Sequence, residues 1–201
     1  MDKDETVIWP PFEAFYIEEM QFNAISALKS DEDAKRNIQV LSSITPQEEQ
    51  FYIIQGQTLN SLQNIVIQGA ALSRYFWPSR NGPNDEHKRR ADYLRRCCDV
   101  NDESPLKNRD LRNQIEHFDE KLDLYLSNGI VGNIYPAYFG VLPKMDGVPT
   151  HYFRAYFIDV GVFEMLGNRY KIQPLVDEIF RINKILTRFA ENGYRLRVIE
   201  D

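Results

Sequence analysis

The chain has 201 residues, of which 43% are hydrophobic and 27% are charged, and its formal net charge is −6. These values are typical of a globular protein with a sizeable core, and the length predicts a single domain over residues 1–201. The negative charge argues against a surface that coats nucleic acid broadly, because such surfaces are basic, but it leaves room for a local phosphate site.

The N-terminal sequence MDKDETVIWPPF is acidic and contains two prolines. A secretory signal needs a basic start and an apolar run, and a membrane helix needs roughly 18 apolar residues, so the sequence predicts neither. The two cysteines, Cys97 and Cys98, are adjacent and therefore badly placed to pair, which predicts reduced thiols in a cytoplasmic protein. The spacing of cysteine and histidine matches no zinc motif, and we expect no metal and no other cofactor.

The first part of the chain contains two predicted helices. One covers residues 12–29, and the other is a short helix in DEDAKRNIQVLSS, residues 31–43. Helical spacing of apolar residues predicts the inward set of the first helix. That set is Phe15, Phe22, Ile25 and Leu28.

The sequence TPQE at residues 45–48 marks the start of a long helix. Thr45 suits the N-cap, Pro46 the first helical position, and Glu48 the third position of a capping box. We expect the helix to end at Trp77, because Pro78 cannot continue it, with a length of about 45 Å. Its inward stripe is broad enough for several neighbours. The stripe comprises Phe51, Ile54, Leu59, Leu62, Ile65, Val66, Ala70, Leu72 and Phe76.

Two further helices are predicted after the loop SRNGPND. The first covers residues 86–98, with Asp85 as its cap and a basic outer face. Its inward residues are Ala91, Leu94 and Cys98, and its outer face carries Lys88, Arg89, Arg90, Arg95 and Arg96. The second lies in RDLRNQIEHFDEKLDLYL, residues 109–126, where apolar residues recur at intervals of three and four. They are Leu111, Ile115, Phe118, Leu122 and Tyr125.

Residues 130–172 are rich in glycine, proline and aromatic residues. HYFRAYFIDV and VFEMLGNRYKI are predicted as short strands, with Gly167-Asn168 as a hairpin turn. Pro174 opens a last helix that ends at Asn192-Gly193, and its stripe is Leu175, Ile179, Ile182, Leu186 and Phe189. The sequence thus predicts a mainly α fold, with a helical bundle over residues 12–128 and 173–193 and a β insertion, a hairpin or three strands, at about 130–172.

The helix predicted at residues 109–126 carries Arg112, Asn113 and His117 near its middle. On an ideal helix Asn113 and His117 are about 40° apart, and Arg112 is about 140° from His117 but long enough to reach a shared anion. Histidine exchanges a proton near neutral pH, and the arginine fork matches phosphate oxygens. Together they have the groups for phosphoryl transfer on RNA without a metal.

The sequence RNQIEH, with an arginine, a polar residue and a histidine on one helix of a small bundle, resembles the HEPN superfamily. The resemblance covers roughly residues 12–128. It implies an all-α bundle that dimerises and brings two motifs into one cleft, and in active members a metal-independent endoribonuclease. By position, it implies Arg112 and His117 as the catalytic pair and Asn113 as an accessory residue.

Other interpretations of the same residues remain open. Arg112 can pair with Glu116 one turn away, with His117 solvated. The carboxylates on the same helix, Glu116, Asp119, Glu120 and Asp123, would repel phosphate. A second match to the motif, RNGPNDEH at residues 80–87, contains Gly and Pro and is predicted as a loop. No histidine has a glutamate three residues before it, so a di-iron bundle site is not predicted.

The basic sequence HKRRADYLRR, residues 87–96, suits either an RNA backbone or a solvated helix face. The aromatic residues of the β segment suit base stacking or, more often, packing of the sheet onto helices or burial of a dimer interface. They are Tyr152, Phe153, Tyr156, Phe157, Phe163 and Tyr170. The leading hypothesis is a homodimeric, metal-independent RNase or RNA-binding protein that does not associate with membranes. The alternative is a non-catalytic dimeric interaction module, antitoxin-like or scaffolding, with a protein partner.

Overall fold

The computed structural model of the protein describes residues 8–79, 86–108, 118–127, 129–144 and 147–198. Within these ranges the chain is mainly helical, and a small β region precedes the final helix, which confirms the predicted fold class. The helices are α1 Pro10–Leu41, α2 Glu49–Phe76, α3 Glu86–Cys97, α4 Phe118–Ser127 and α5 Ile172–Glu191, with a 3₁₀ turn at Pro105–Lys107. The strands are β1 Asn133–Tyr135, β2 Tyr138–Gly140, β3 Thr150–Tyr152, β4 Arg154–Phe157, β5 Val162–Met165 and β6 Asn168–Lys171.

Helix α1 is continuous over 32 residues, so the prediction of two helices in this region is wrong. The polar sequence that suggested a break is stabilised as helix by ion pairs one turn apart. Lys35 Nζ lies 2.7 Å from Asp31, and Lys29 Nζ lies 3.5 Å from Asp33. Pairs at this spacing stabilise exposed helical turns, and the segment contains no proline or glycine to end the helix.

The predicted inward face of α1 is wrong for three of its four residues. Phe15, Phe22 and Ile25 are 72%, 67% and 55% exposed, whereas Leu28 is half-buried against the core as predicted. The buried stripe consists mainly of smaller side chains: Ile17, Met20, Ala24, Ala27 and Ala34. Alanines allow α2 to approach closely, and the large apolar residues are left on the opposite side. We call Phe15, Phe22 and Ile25 the α1 apolar surface.

Helix α2 begins at Glu49, later than the TPQE sequence predicted. Glu48 is the N-cap residue, and its side chain accepts a hydrogen bond from the Thr45 amide at 2.9 Å. The Thr45 hydroxyl bonds to the same carboxylate at 3.2 Å instead of capping a helical amide. The predicted stripe of α2 is buried except for the half-buried Ile54. A Cβ at Gly69 would lie 3.1 Å from Leu175, so this glycine allows close packing of α2 against α5.

Helix α3 buries Ala91, Leu94 and Cys97, and Cys98 directly after it is also buried. In α4, Leu122 and Tyr125 are partly buried against the core. The predicted cap Asp85 and the predicted helical residues Leu111 and Ile115 lie outside the described residues, so those predictions stay predictions.

The β region contains a four-stranded sheet of order β2-β4-β5-β6 and a two-stranded parallel pair, β1 with β3. The predicted strand at residues 151–160 is therefore divided, because the chain changes pairing partner at Phe153. The hairpin turn is Leu166-Gly167, one residue earlier than predicted, with φ of 49° and 78°. The Asn168 side chain supports this turn by donating to the Leu166 carbonyl at 3.1 Å.

Helix α5 confirms its predicted stripe, which is buried throughout, and the helix ends at Asn192 and Gly193 as expected. The chain that follows returns to α1, where Arg195 Nε and the Leu196 amide both donate to buried Glu13, at 2.8 and 2.9 Å. One continuous core joins α1, α2, α3, α5 and the β5–β6 hairpin. Among the described helices, none combines the length and apolar character needed to cross a membrane.

Candidate functional site

A cavity of about 400 Å³ lies where the end of α2, one side of α3 and the 3₁₀ turn meet. We call it the Trp77 cavity. Its lining combines an indole ring, three cations and hydroxyl and amide groups. The lining residues are Ser73, Phe76, Trp77, Pro78, Ser79, Lys88, Ala91, Asp92, Arg95, Lys107 and Asn108.

Local sequence explains why these three segments present their side chains to one space. Pro78 ends α2, so Trp77 turns away from the helix axis at its C-terminal end. Lys88, Asp92 and Arg95 are spaced four and three residues apart, which places them on one side of α3. Ser104 caps the 3₁₀ turn by accepting from the Leu106 amide, and the buried Leu106 side chain fixes the turn. Lys107 and Asn108 then follow at the rim of the cavity.

The charges of the cavity form a connected set around Asp102. Arg95 Nη1 lies 3.1 Å from Asp102 Oδ1, and Lys107 Nζ lies 3.0 Å from Asp102 Oδ2. The Trp77 indole donates to the same carboxylate at 3.4 Å. The hydrogen bond from Lys107, followed by that from Trp77, lowers the pKa of Asp102 below its ordinary value. Asp102 therefore stays ionised at neutral pH and orients two cations and the indole.

The balance of charge at the cavity is positive. Arg95 also pairs with Asp92, and its guanidinium lies 5.9 Å from the Trp77 ring centroid. Among the described residues, no carboxylate lies within ion-pair distance of Lys88. Three cations against the carboxylates of Asp92 and Asp102 leave one excess positive charge. The cavity can thus hold an anionic group beside a flat aromatic ring.

A network on α5 fixes the loop that carries Asp102. Arg181 donates to the Cys98 carbonyl at 3.0 Å, to the Asp99 carbonyl at 2.9 Å and to Glu178 at 2.8 Å. Glu178 also accepts from the Ser104 hydroxyl at 2.8 Å. Burial raises the pKa of Glu178, but the hydrogen bonds from Arg181 and Ser104 outweigh it and leave the pKa below its ordinary value. The network therefore ties both ends of this loop to α5.

The residues of the RNQIEH motif, Arg112, Asn113 and His117, lie outside the described residues. The Trp77 cavity is nevertheless close to these residues in sequence. Asn108, which lines the cavity, precedes Arg112 by four residues, and Phe118, the first residue of α4, follows His117 directly. Covalent geometry limits the Cα separation of Asn108 and Arg112 to about 14 Å.

The basic face of α3 is only partly solvated. Lys88, Arg89 and Arg96 are exposed. Arg90 is half-buried, with its guanidinium 5.6 Å from the Tyr16 ring centroid, and Arg95 belongs to the cavity network. The face is thus divided between cations that hold the fold and cations that are open to a ligand.

The aromatic residues of the β region are packing residues. Tyr152, Phe157, Phe163 and Tyr170 are buried, and Phe153 and Tyr156 pack against the core.

The cysteines are also core residues, because both are buried, and desolvation raises the pKa of Cys97 to about 11. The described part of the chain contains no group of three or more side chains that could hold a metal ion.

Sequence reasoning missed Trp77, Lys107 and Asn108 as site residues. The one available signal was the Trp-Pro pair at the end of α2, which marks an aromatic ring at a helix terminus. Comparisons of the chain with known protein families, with curated proteins and with solved structures find no match.

Proposed function

We propose that the protein is a HEPN-like, metal-independent endoribonuclease of the cytoplasm, with Arg112 and His117 as its catalytic pair and Asn113 as an accessory. The observation that supports this most strongly is the Trp77 cavity, whose net positive lining ends at Asn108, four residues before Arg112. The protein has a net charge of −6, yet the lining of this cavity, which is close to the motif in sequence, carries an excess of positive charge. That arrangement suits an RNA phosphate.

The cavity also bears on the negative charge close to His117. Carboxylates near His117 in sequence would repel a phosphate, and they are Glu116, Asp119, Glu120 and Asp123. Lys88, which has no ion-pair partner among the described residues, offsets part of this repulsion, and Trp77 offers a face on which an unstacked base can lie. RNA phosphates would then be held by the cavity, while the motif supplies the chemistry.

The proposed reaction is a transesterification within the RNA strand. His117 removes the proton of a ribose 2′-hydroxyl, and the 2′-oxygen attacks the adjacent phosphorus. The bond from phosphorus to the 5′-oxygen breaks, and that oxygen takes a proton from water. Arg112 stabilises the negative charge on the phosphoryl oxygens. The products are a 2′,3′-cyclic phosphate and a 5′-hydroxyl.

The experiment is cleavage of labelled RNA in excess EDTA by the wild type and by His117→Ala. We expect the wild type to produce cyclic phosphate ends and the variant to lose at least a hundredfold in rate, as for loss of a general base. His151→Gln is the matched control, because His151 lies in β3, where it contacts Tyr125 and the Val131 carbonyl. Equal rates for wild type and His117→Ala, or a requirement for a metal, would refute the proposal.

The second candidate is a non-catalytic dimeric interaction module. The α1 apolar surface favours it, because three large apolar side chains on one helix face are more than half exposed. Exposed apolar patches of this kind mark interaction sites. We propose that this surface forms a homodimer contact in either case. A folded dimer that neither binds nor cleaves RNA would select the interaction module.

A further inference from the structure

A second cavity, of about 340 Å³, lies between the start of α1 and the N-terminal half of α3. We call it the Trp9 pocket. It is lined by Ile8, Trp9, Phe12, Tyr16, Glu86, His87, Arg89 and Arg90. Trp9 and Phe12 are 60% and 52% exposed and meet edge to face, with ring centroids 4.9 Å apart. The pocket therefore offers large aromatic surfaces beside cations.

The two cavities lie on opposite sides of α3. Around the axis of α3, the residues that line the Trp77 cavity have their middle position near Lys88 and Arg95. Those that line the Trp9 pocket have theirs near Glu86 and Arg90. At 100° per residue these two sets are about 170° apart on the helix. Arg96, and Arg89 at the edge of the Trp9 pocket, lie on the solvent side between the centres of the two sets, and both are exposed. A ridge of cations thus separates two cavities that each contain a tryptophan.

The interior of the Trp9 pocket suits a base better than a phosphate. The Arg90 guanidinium is held 5.6 Å from the Tyr16 ring centroid, so this cation is already engaged with an aromatic face. Glu86 adds a carboxylate, which repels phosphate but accepts hydrogen bonds from the ring nitrogens and amino groups of bases. An indole and a phenyl ring provide the stacking surface.

We propose that the Trp9 pocket binds an unstacked base of a single-stranded RNA that crosses α3 and enters the Trp77 cavity, with its phosphates over Arg89 and Arg96. The choice of RNA as ligand rests on the proposed function. The strand must span at least the diameter of the helix, about 10 Å, so a mononucleotide cannot occupy both cavities.

The chain provides its own reporters, because its only two tryptophans lie one in each cavity. Trp77→Phe leaves the fluorescence of Trp9 alone, and Trp9→Phe leaves that of Trp77 alone. Each variant is titrated with 2′-O-methyl octauridylate, which has no 2′-hydroxyl to react, and with uridine monophosphate. We expect the octamer to quench both reporters at the same half-saturating concentration. The monophosphate should not quench both in the concentration range of the octamer.

Loss of the stacking surface gives a second test. Trp9→Ala should weaken octamer binding roughly tenfold, whereas Tyr52→Ala, which removes an exposed aromatic ring of α2 outside both cavities, should leave it unchanged. An octamer that quenches Trp77 but not Trp9 would overturn this inference and leave the proposed function standing. Quenching of both reporters by a protein that does not cleave unmodified RNA would support the inference and refute the proposed nuclease activity. No quenching of either reporter would overturn both.

Discussion

The network around Arg181 makes a quantitative prediction for the variant Arg181→Met. The side chain makes four hydrogen bonds, two to the carbonyls of Cys98 and Asp99 and two to Glu178. Methionine preserves much of the apolar stem but makes none of them. The variant therefore isolates the polar contribution of the network to stability.

The expected loss follows from the burial of the groups. Charge-assisted hydrogen bonds contribute about 1.5 kcal/mol or more each. The Arg181 side chain is 37% exposed, so water compensates for part of the free energy of the lost hydrogen bonds. The Glu178 side chain is only 13% exposed and would keep Ser104 as its remaining partner. We expect a decrease of about 2–3 kcal/mol in the free energy of unfolding. For a protein of this length that corresponds to a fall of roughly 4–12 °C in Tm.

The assay is urea unfolding followed by circular dichroism, with Tm from calorimetry. Arg188→Met is the matched control, because Arg188 is an exposed arginine of the same helix and no ion pair joins it to the described residues. It should change stability by less than about 0.5 kcal/mol. Since the network also holds the loop that carries Asp102, Arg181→Met should weaken RNA binding at temperatures where it is fully folded. Equal stabilities of the two variants would refute the network argument.

Three further predictions concern other parts of the molecule. Glu178→Gln should cost more stability at pH 7 than at pH 3, because folding lowers the pKa of the Glu178 carboxyl. Such a group stabilises the fold above its unfolded pKa and loses that effect as the pH falls through its folded pKa, and urea unfolding at both pH values measures the difference. Cys97 and Cys98 should resist iodoacetamide at pH 8 until urea unfolds the chain, because both are buried and the pKa of Cys97 is about 11; rapid labelling of the native protein would contradict the burial. The double variant Phe15→Ser, Phe22→Ser should sediment as a folded monomer, because both side chains are exposed in the single chain and add little to its core; an unchanged sedimentation coefficient would exclude the α1 apolar surface as the dimer contact.

The elements with one apolar stripe were predictable from the sequence. In α2 and α5 a single face carries the large apolar residues, so helical periodicity identifies the buried side chains. Helix α1 has two stripes of helical period, one in which alanines predominate and one formed by Phe15, Phe22 and Ile25. Periodicity does not decide between them, and the predicted choice by size was wrong, because close packing against α2 selects the small ones.

The candidate site was less accessible to prediction. The Trp77 cavity is assembled from Trp77, from α3 and from Lys107 and Asn108, and no local pattern connects these segments. The sequence did indicate the basic side of α3, but not that Arg90 and Arg95 are held by an aromatic ring and by Asp102. The assignment of Arg112, Asn113 and His117 stays a prediction.

The most direct measurement is the steady-state kinetics of RNA cleavage in EDTA by wild type, Lys88→Ala and His117→Ala. If the cavity binds the RNA that the motif cleaves, Lys88→Ala raises KM several-fold with kcat unchanged. The affinity of this variant for RNA also depends less steeply on salt concentration than that of the wild type. His117→Ala should abolish kcat while RNA binding persists. A wild type that does not cleave RNA, or a Lys88→Ala variant with unchanged KM, would contradict the link between cavity and motif.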